Sequence, residues 1–347
     1  MEIAGRSIGP DQPPYVIAEL SGNHGGSLQR ALEIVDAVAE AGVDALKLQT
    51  YTADTMTLDV ESDDFVIKNP KSLWYGRRLY ELYAEAHTPW EWHEEIFARA
   101  AERGLGSFSA PFDTTAVDFL ESLDVPCHKI ASFESTDLNL VRHVAETGKP
   151  MIISTGLATA AEITAAVGMA RRSGCEELMV LKCSSAYPTS PKDSNLATIP
   201  HLRALTGCPV GLSDHTIGIG VPVAAVAFGA VSIEKHATLS RADDTVDAAF
   251  SLEPDEFAWL VVEARRAWEA VGTVHYGPTE AESRSLWLRR SLYAVEDIPA
   301  GGEVTRDNVR SIRPSHGLPT VHLGDVVGMR VQRDVLRGTP LSWDLFR

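Results

Sequence analysis

YVIAELSGNHGGSLQRALEIVDAVAEAGVDALKLQT, residues 15–50, is the stretch that decides the fold. YVIAEL (15–20) is a short apolar run of strand type, SLQRALEIVDAVAEAG (27–42) repeats its apolar positions at helical spacing, and VDALKLQT (43–50) is a second strand. Two buried-type strands joined by a helix predict parallel neighbours with a helical crossover. The alternation continues with helix WEWHEEIFARAAERG (90–104), strand LGSFSAP (105–111), helix TTAVDFLESL (114–123), strand CHKIAS (127–132) and helix LNLVRHVAETG (138–148). PMIIST (150–155), AAEITAAVGMARRSG (160–174), ELMVLKCSS (177–185) and a helix before Gly207 extend it. CPVGLSD (208–214), GVPVAAVAFGA (220–230), VSIEKHA (231–237) and DEFAWLVVEARRAWEAVG (255–272) complete it. Eight strand–helix units in about 270 residues predict a (β/α)8 TIM barrel. An open doubly wound sheet is the alternative, but no GxGxxG follows the first strand.

Two stretches fall outside that rhythm. Residues 52–89 are too long for an ordinary loop, and Trp74, Tyr75, Tyr80 and Tyr83 within them argue for an ordered lid or wall. After residue 275 the apolar periodicity lapses, so 276–289 reads as a linker and 290–347, with short β-type runs and frequent glycine, as a separate small domain. The expected division is therefore a barrel over 1–275 and a small β domain over 290–347.

Composition narrows the function classes. The 347 residues carry 31 Lys plus Arg against 48 Asp plus Glu, a formal charge of −17, so the mean field repels polyanions and argues against nucleic acid as a partner. No apolar run is long enough to span a bilayer, and the first twenty residues lack a basic segment followed by an apolar core. Cys127, Cys175, Cys183 and Cys208 form no CxxC pair; three of them lie in or beside apolar runs and read as buried free thiols, which points to a reduced, cytoplasmic protein.

In a barrel of this kind the functional groups project from the C-terminal strand ends. Those ends carry Glu19 with Asn23 and His24 after it, Lys47 and Gln49, Ser109, Lys129 and Ser132, Ser154 and Thr155, Lys182 with Ser184 and Ser185, Ser213 with Asp214 and His215, and Glu234 with His236. A strand-end serine alone is ordinarily a satisfied hydroxyl. Lysines inside apolar runs are rarer, because a buried ammonium needs an anion. Lys47 and Lys129 are each compatible with a structural ion pair; together, beside several serines, they suggest a pocket for a phosphate and a carboxylate. His215 and His236 end adjacent strands and are compatible either with packing or with holding a divalent metal, of which Mn2+, Mg2+, Co2+ and Zn2+ all suit the donor set. His87, His93, His143 and His201, on helices or loops, are expected to be solvated.

IAELSGNHGGS, KLQTYTADTMTLD, KIASFESTDL, ISTGLAT, KCSSAYPTSP, GLSDHTIGIGVPVAA and IEKHATLSRADDTVDAAFSLEP, in that order, resemble the sialic acid synthase family. The resemblance runs over essentially the whole chain, and within the family LYELYAEAHTPWEWHEEIF and RGTPLSWDLF look most like pseudaminic acid synthases. It implies a phosphoenolpyruvate-binding TIM barrel followed by an antifreeze-like SAF domain of β-clip type. The implied activity is metal-dependent condensation of phosphoenolpyruvate with an acetamido aldose, here 2,4-diacetamido-2,4,6-trideoxy-L-altrose. By the same resemblance Lys47, Lys129, Ser132, Ser154, Ser185 and Ser213 hold phosphoenolpyruvate. His215 and His236 bind the metal, Mn2+ before Mg2+ or Co2+. Glu19 and Asp247 orient the sugar and move protons, and Arg313 of SIRPSHGLP reaches substrate across a domain-swapped homodimer. Two departures from the family pattern are DDTVD before and including Asp247, where a glycine-rich run is usual, and Ala110, where some relatives carry a hydroxyl. N-acetylneuraminate and legionaminate synthases share the chemistry. A Schiff-base barrel aldolase using Lys129 or Lys182, and a non-catalytic sugar-binding barrel, are the readings from other classes.

Overall fold

Eight strands follow the expected rhythm: β1 Tyr15–Glu19, β2 Ala45–Thr50, β3 Gly106–Pro111, β4 His128–Ile130, β5 Met151–Ser154, β6 Leu178–Cys183, β7 Val210–Ser213 and β8 Ser232–His236. In the computed structural model, which describes residues 1–346, they pair in that order, all parallel, and β8 closes on β1. The closing register sets Ser232 opposite Tyr15 and His236 opposite Glu19, while Glu19 lies opposite Lys47 and Ser213 opposite Glu234. The crossovers are α1 Leu28–Glu40, α2 His93–Glu102, α3 Thr114–Ser122, α4 Leu138–Glu146, α5 Ala160–Arg172, α6 Thr198–Thr206, α7 Gly220–Ala227 and α8 Pro254–Val271. The barrel is as the sequence predicts, with most element ends shorter by one to three residues, as where CHKIAS (127–132) yields only His128–Ile130.

Helix starts are written into the chain. Ser27 accepts from the Arg30 amide, Asp113 from Thr115 and Ala116, and Asp137 from Asn139 and Leu140. Thr159 and Glu162 form a reciprocal capping box, and Pro254 opens α8 where its missing N–H is harmless. Each such cap is worth about 1 kcal/mol. Together they turn the chain promptly at the C-terminal face, leaving strand-end side chains aimed into the mouth.

Strand alternation sorts the core. Val16, Ala18, Leu46 and Leu48 face outward onto Ile34, Val35 and Val38 of α1. Tyr15, Ile17, Ala45, Phe108, Ile152, Met179 and Leu181 fill the interior, where Ile3 and Ile8 of the N-terminal hairpin segment join them as a floor. The same alternation, carried one step further along each strand, puts Glu19, Lys47 and Cys183 above that floor.

Residues 52–89 contain two short helices, Ala53–Met56 and Leu79–Ala86, and act as a wall only in part. The Trp74 indole N–H donates to the Val246 carbonyl at 3.0 Å, and Tyr83 meets Tyr51 edge-on, whereas Tyr75 is exposed and Tyr80 bonds Asp54 at the surface. One expectation fails: His93 is not solvated. It is fully buried because the first turn of α2 presses on β2, with its Nε2 at 2.8 Å from Thr50 Oγ1 and Nδ1 at 3.2 Å from the Pro89 carbonyl. Burial holds its pKa down at about 4, so the ring is neutral.

The chain divides into two units, Met1–Gly272 and Thr273–Arg347. In the second, β9 Ser291–Ala294 pairs antiparallel with β10 Val309–Ile312, and single bridges such as Ile298 with Val335 continue the β character. Its core is small: Leu292, Val304, Val309, Val326, Val331 and Leu341. Gly317 passes so close to the Leu292 carbonyl that any side chain there would collide with it. Residues 280–288, inside the expected linker, hold one turn of helix, Glu280–Ser283, and a 3-10 turn, Leu286–Leu288. Arg347, the last residue of the expected small domain, lies outside the described residues. Among the described residues no helix is long and apolar enough to cross a membrane.

Candidate active site

The inward strand ends open into a cavity of ≈ 300 Å3 at the C-terminal mouth. Lys47, Gln49, Lys129, Ser154, Cys183, Ser213, Glu234 and His236 line it from the strands, and Ser21, Ser132, Glu134, Tyr187, His215 and Asp247 from the loops after them. Ile67, Trp74, Leu79, Leu82, Tyr83 and Val246 form an apolar upper wall.

Four charges meet at the base. Lys47 is ion-paired with Glu19 and stands 3.8 Å from Glu234 Oε1, and Lys129 donates to the same Glu234 oxygen at 3.3 Å. All four are buried, so neither sign could remain charged without the other. Burial pulls Lys47 down, but Glu19 and Glu234 outweigh it and hold its pKa above the ordinary lysine value. Burial likewise pushes Glu234 up, and the two lysines reverse that and leave it below the usual carboxylate range. An ammonium has three donors. Among the described residues Lys129 Nζ uses one, so its remaining N–H groups are free to meet an anion in the cavity.

Hydroxyls surround the lysines. Ser154 Oγ is buried and without a partner among the described residues, a donor held ready for an acceptor. Ser132 Oγ accepts from the Gly156 amide at 3.1 Å, and Ser213 donates to Glu234 at 3.1 Å. A side chain at Gly156 would strike the Ser132 and Ser185 hydroxyls, which would have to turn from their present positions.

The two imidazoles do converge, with ring centroids 5.3 Å apart. His215 Nδ1 lies 3.0 Å from the Ser184 carbonyl, which only accepts, so that nitrogen carries a proton and Nε2 is the ring's open position. His236 is largely buried at the cavity wall; desolvation first, then His215 and the nearby lysines, drives its pKa well below the ordinary value and keeps it neutral. Its Nδ1 is buried without a hydrogen-bond partner, 3.8 Å from Asp247. Phe250 packs against both rings and Tyr187 against His215. Among the described residues no three His, Cys, Asp or Glu side chains gather as a ready-made metal site. A pair of imidazoles, one with an orphaned nitrogen, on an open polar cavity still fits a divalent cation whose other positions go to water or substrate oxygens.

The fold thus brings Lys47, Lys129, Ser132, Ser154, Ser213, His215, His236 and Asp247 onto one cavity. Glu19 lies just beneath it, behind Lys47. Ser185 does not line it but sits at 3.8 Å from Cys183 Sγ. Arg313 is an exposed residue of the second unit. Lys182 turns away, donating to the Cys183 carbonyl and Ser184 Oγ, and Ser109 is tied to Thr50 at 2.6 Å.

Comparison with known proteins now decides the family. The NeuB family model matches residues 34–276, and the SAF domain model matches residues 289–347. The chain belongs to the NeuB family. A pseudaminic acid synthase of Campylobacter jejuni is 42% identical over 97% of this chain and 98% of its own length. An N,N'-diacetyllegionaminic acid synthase of Legionella pneumophila is 35% identical over 95% of this chain and 94% of its own. A crystal structure of N-acetylneuraminic acid synthetase from Leptospira borgpetersenii, in complex with citrate, superposes with a TM-score of 0.73 at 31% identity, covering 82% of this chain and 94% of that one. This NeuB-family chain is therefore an enzyme of the sugar-acid synthase group, a TIM barrel with a C-terminal SAF domain.

Several cavity residues of the NeuB barrel were not singled out from sequence. Glu134 follows β4 in a loop with no periodicity to mark it; burial raises its pKa to about 7, and its Oε2 has no partner among the described residues. Cys183 is not marked by its sequence as a cavity residue. Its inward position follows from alternation with Leu181 and Met179, and although burial opposes ionisation, His215 and Ser132 bring its pKa down to about 7. Tyr187 and Phe250, which enclose the imidazoles, lie within KCSSAYPTSP and IEKHATLSRADDTVDAAFSLEP, but no period or charge singles them out there.

Proposed function

We propose that this enzyme is a pseudaminic acid synthase, condensing phosphoenolpyruvate with 2,4-diacetamido-2,4,6-trideoxy-L-altrose to give the nine-carbon acid and phosphate. The observation that carries the substrate assignment is 42% identity to a pseudaminic acid synthase across almost the full length of both chains, against 35% for a legionaminic acid relative. The apolar upper wall of Ile67, Trp74, Leu79, Leu82 and Val246 suits a sugar bearing a methyl where others carry a hydroxyl.

In this reading the open donors of Lys129, the Lys47 ammonium and the Ser132, Ser154 and Ser213 hydroxyls bind the phosphate and carboxylate of phosphoenolpyruvate. Ser185, one layer behind, supports them. His215 Nε2 and the His236 ring would hold a divalent cation, Mn2+ or else Mg2+ or Co2+. When bound, that cation supplies Lewis-acid polarisation of the sugar's aldehyde. C3 of the enol then attacks the aldehyde carbon, water adds at C2, and the C2–O bond to phosphate breaks. Lys47 and Lys129 stabilise charge on the departing phosphate from fixed positions, with little reorganisation. Glu19, ion-paired with Lys47, would activate the water or relay its proton. Asp247, whose carboxyl burial raises while Ser21 and the Gly22 amide pull it down, orients the sugar hydroxyls. Arg313 of the partner subunit completes the site in a domain-swapped homodimer working in the cytoplasm.

The test is phosphate release from phosphoenolpyruvate with Mn2+ and each of three sugars: the diacetamido-trideoxy-altrose, its legionaminate counterpart and N-acetylmannosamine. Release confined to the first supports the assignment. Release confined to another replaces the substrate and keeps the chemistry. A borohydride-trappable lysine adduct with turnover that survives chelation would instead favour the Schiff-base aldolase.

A further inference from the structure

The two cavity imidazoles each follow a residue of opposite charge: Asp214 before His215, and Lys235 before His236. Alternation sends these preceding side chains away from the cavity, and neither lines it. They meet instead on the helix-facing side, where Lys235 Nζ donates to Asp214 Oδ2 at 2.7 Å. The same ammonium donates to the Thr216 carbonyl at 2.5 Å and the Gly218 carbonyl at 3.2 Å. Asp214 in turn accepts from the Thr216 hydroxyl at 2.8 Å and the Thr216 amide at 3.3 Å. Lys235 is 1% exposed and Asp214 4%.

This lysine differs from the two in the cavity. Every donor of its ammonium is engaged, and every acceptor belongs to one turn, residues 214–218, between β7 and α7. A buried ion pair adds little net stability over apolar side chains of similar size, so its distinctive contribution is geometric. The turn it wraps carries His215, and the strand it stands on carries His236.

We propose that the Lys235–Asp214 clip is a positioning device that locks the 214–218 turn to β8 and so fixes the His215 ring relative to His236. The proposal rests on the reading that these rings hold the cation. The experiment uses the full chain, stripped of metal, with Mn2+ as probe, and compares wild type with Lys235→Met and with the charge-balanced pair Asp214→Leu/Lys235→Met. Mn2+ affinity is read by paramagnetic resonance of the free ion, and hydrogen exchange is read at residues 214–219. Both variants should bind Mn2+ about 10–100-fold more weakly, the range seen when groups that orient metal ligands are removed. Amide exchange in the turn should rise at least about tenfold as local opening becomes easier. The double variant should melt near wild type, which separates positioning from stability. Wild-type Mn2+ affinity with unchanged exchange in a folded variant would overturn the proposal. If Lys235→Met does not fold, Thr216→Val, which loses only the hydroxyl bond to Asp214, should weaken Mn2+ by about threefold; unaltered affinity there overturns it equally. If wild type itself binds no Mn2+, the cation reading fails, and the clip is then judged by exchange alone: unchanged protection of the turn in Lys235→Met overturns it.

Discussion

The lower and upper halves of the barrel interior are made by the same strands under the same alternation, yet they hold opposite chemistry. Below, Tyr15, Ile17, Ala45, Phe108, Ile152 and Met179 pack against one another with no polar partner needed. Two residues past Ile17 and Ala45, Glu19 and Lys47 form a buried ion pair, which Glu234 and Lys129 extend into a four-charge cluster. The lower half is where burial stabilises the molecule. In the upper half, burial sharpens electrostatics at some expense in stability, because ions leave water for a low-dielectric interior. The lesson is that a single fold axis carries a gradient from structure to chemistry, and substitutions should report their height on it.

Four measurements test that contrast. The largest effect is expected at Lys129→Met, which removes the open ammonium: phosphate release should fall about a thousandfold, the upper end for losing a preorganised charge donor. Its thermal midpoint should change far less than its rate, and a parallel loss of both would erase the distinction between the halves. Next comes Phe108→Ala in the floor, expected to cost about 3–5 kcal/mol in denaturant unfolding with turnover per folded molecule unchanged. Loss of turnover without loss of stability there would reverse the gradient.

The third measurement is pH-dependent stability. His24 and His93 are buried and neutral with pKa values of about 4, against 6.5 for an unhindered imidazole. A depressed histidine favours the fold while neutral, so its contribution is full above about 6.5 and disappears as pH falls toward 4. Each contributes about 3 kcal/mol by that shift. His93→Gln should flatten the urea midpoint between those pH values; an unchanged acid limb would remove His93 from the account. The smallest effect is at Ser154→Ala, which deletes an unpartnered buried hydroxyl. Stability should hold within about 0.5 kcal/mol, while the KM for phosphoenolpyruvate rises about tenfold through one lost hydrogen bond to a charged ligand. An unchanged KM would take Ser154 out of the anion site.

The gradient also explains what the sequence made legible. Apolar period marked every barrel strand and helix, since that spacing is set by neighbours in the chain. The lysines at 47 and 129 stood out because an ammonium inside an apolar run is costly by itself. Their shared counterion was harder: Glu234 is visible as a strand-end acid, but that it answers both lysines depends on β8 closing beside β1, a property of the whole ring. His93 misled because its burial comes from how α2 docks on β2, not from anything in its own turn. Glu134, Tyr187 and Phe250 lie in loops whose paths follow from the assembled mouth, so no periodic signal marks them.

The Trp74 indole, which hydrogen-bonds a carbonyl 172 residues downstream at Val246, has a consequence for the order of assembly. Closing so long a loop is entropically expensive until intervening strands have already brought its ends together. The partner of Trp74 lies beyond β8, so this bond is expected to form late, after the barrel strands have drawn residues 52–89 and Val246 together. Pulse-labelled hydrogen exchange during refolding, with protection in 79–86 lagging that of the strands, would show it.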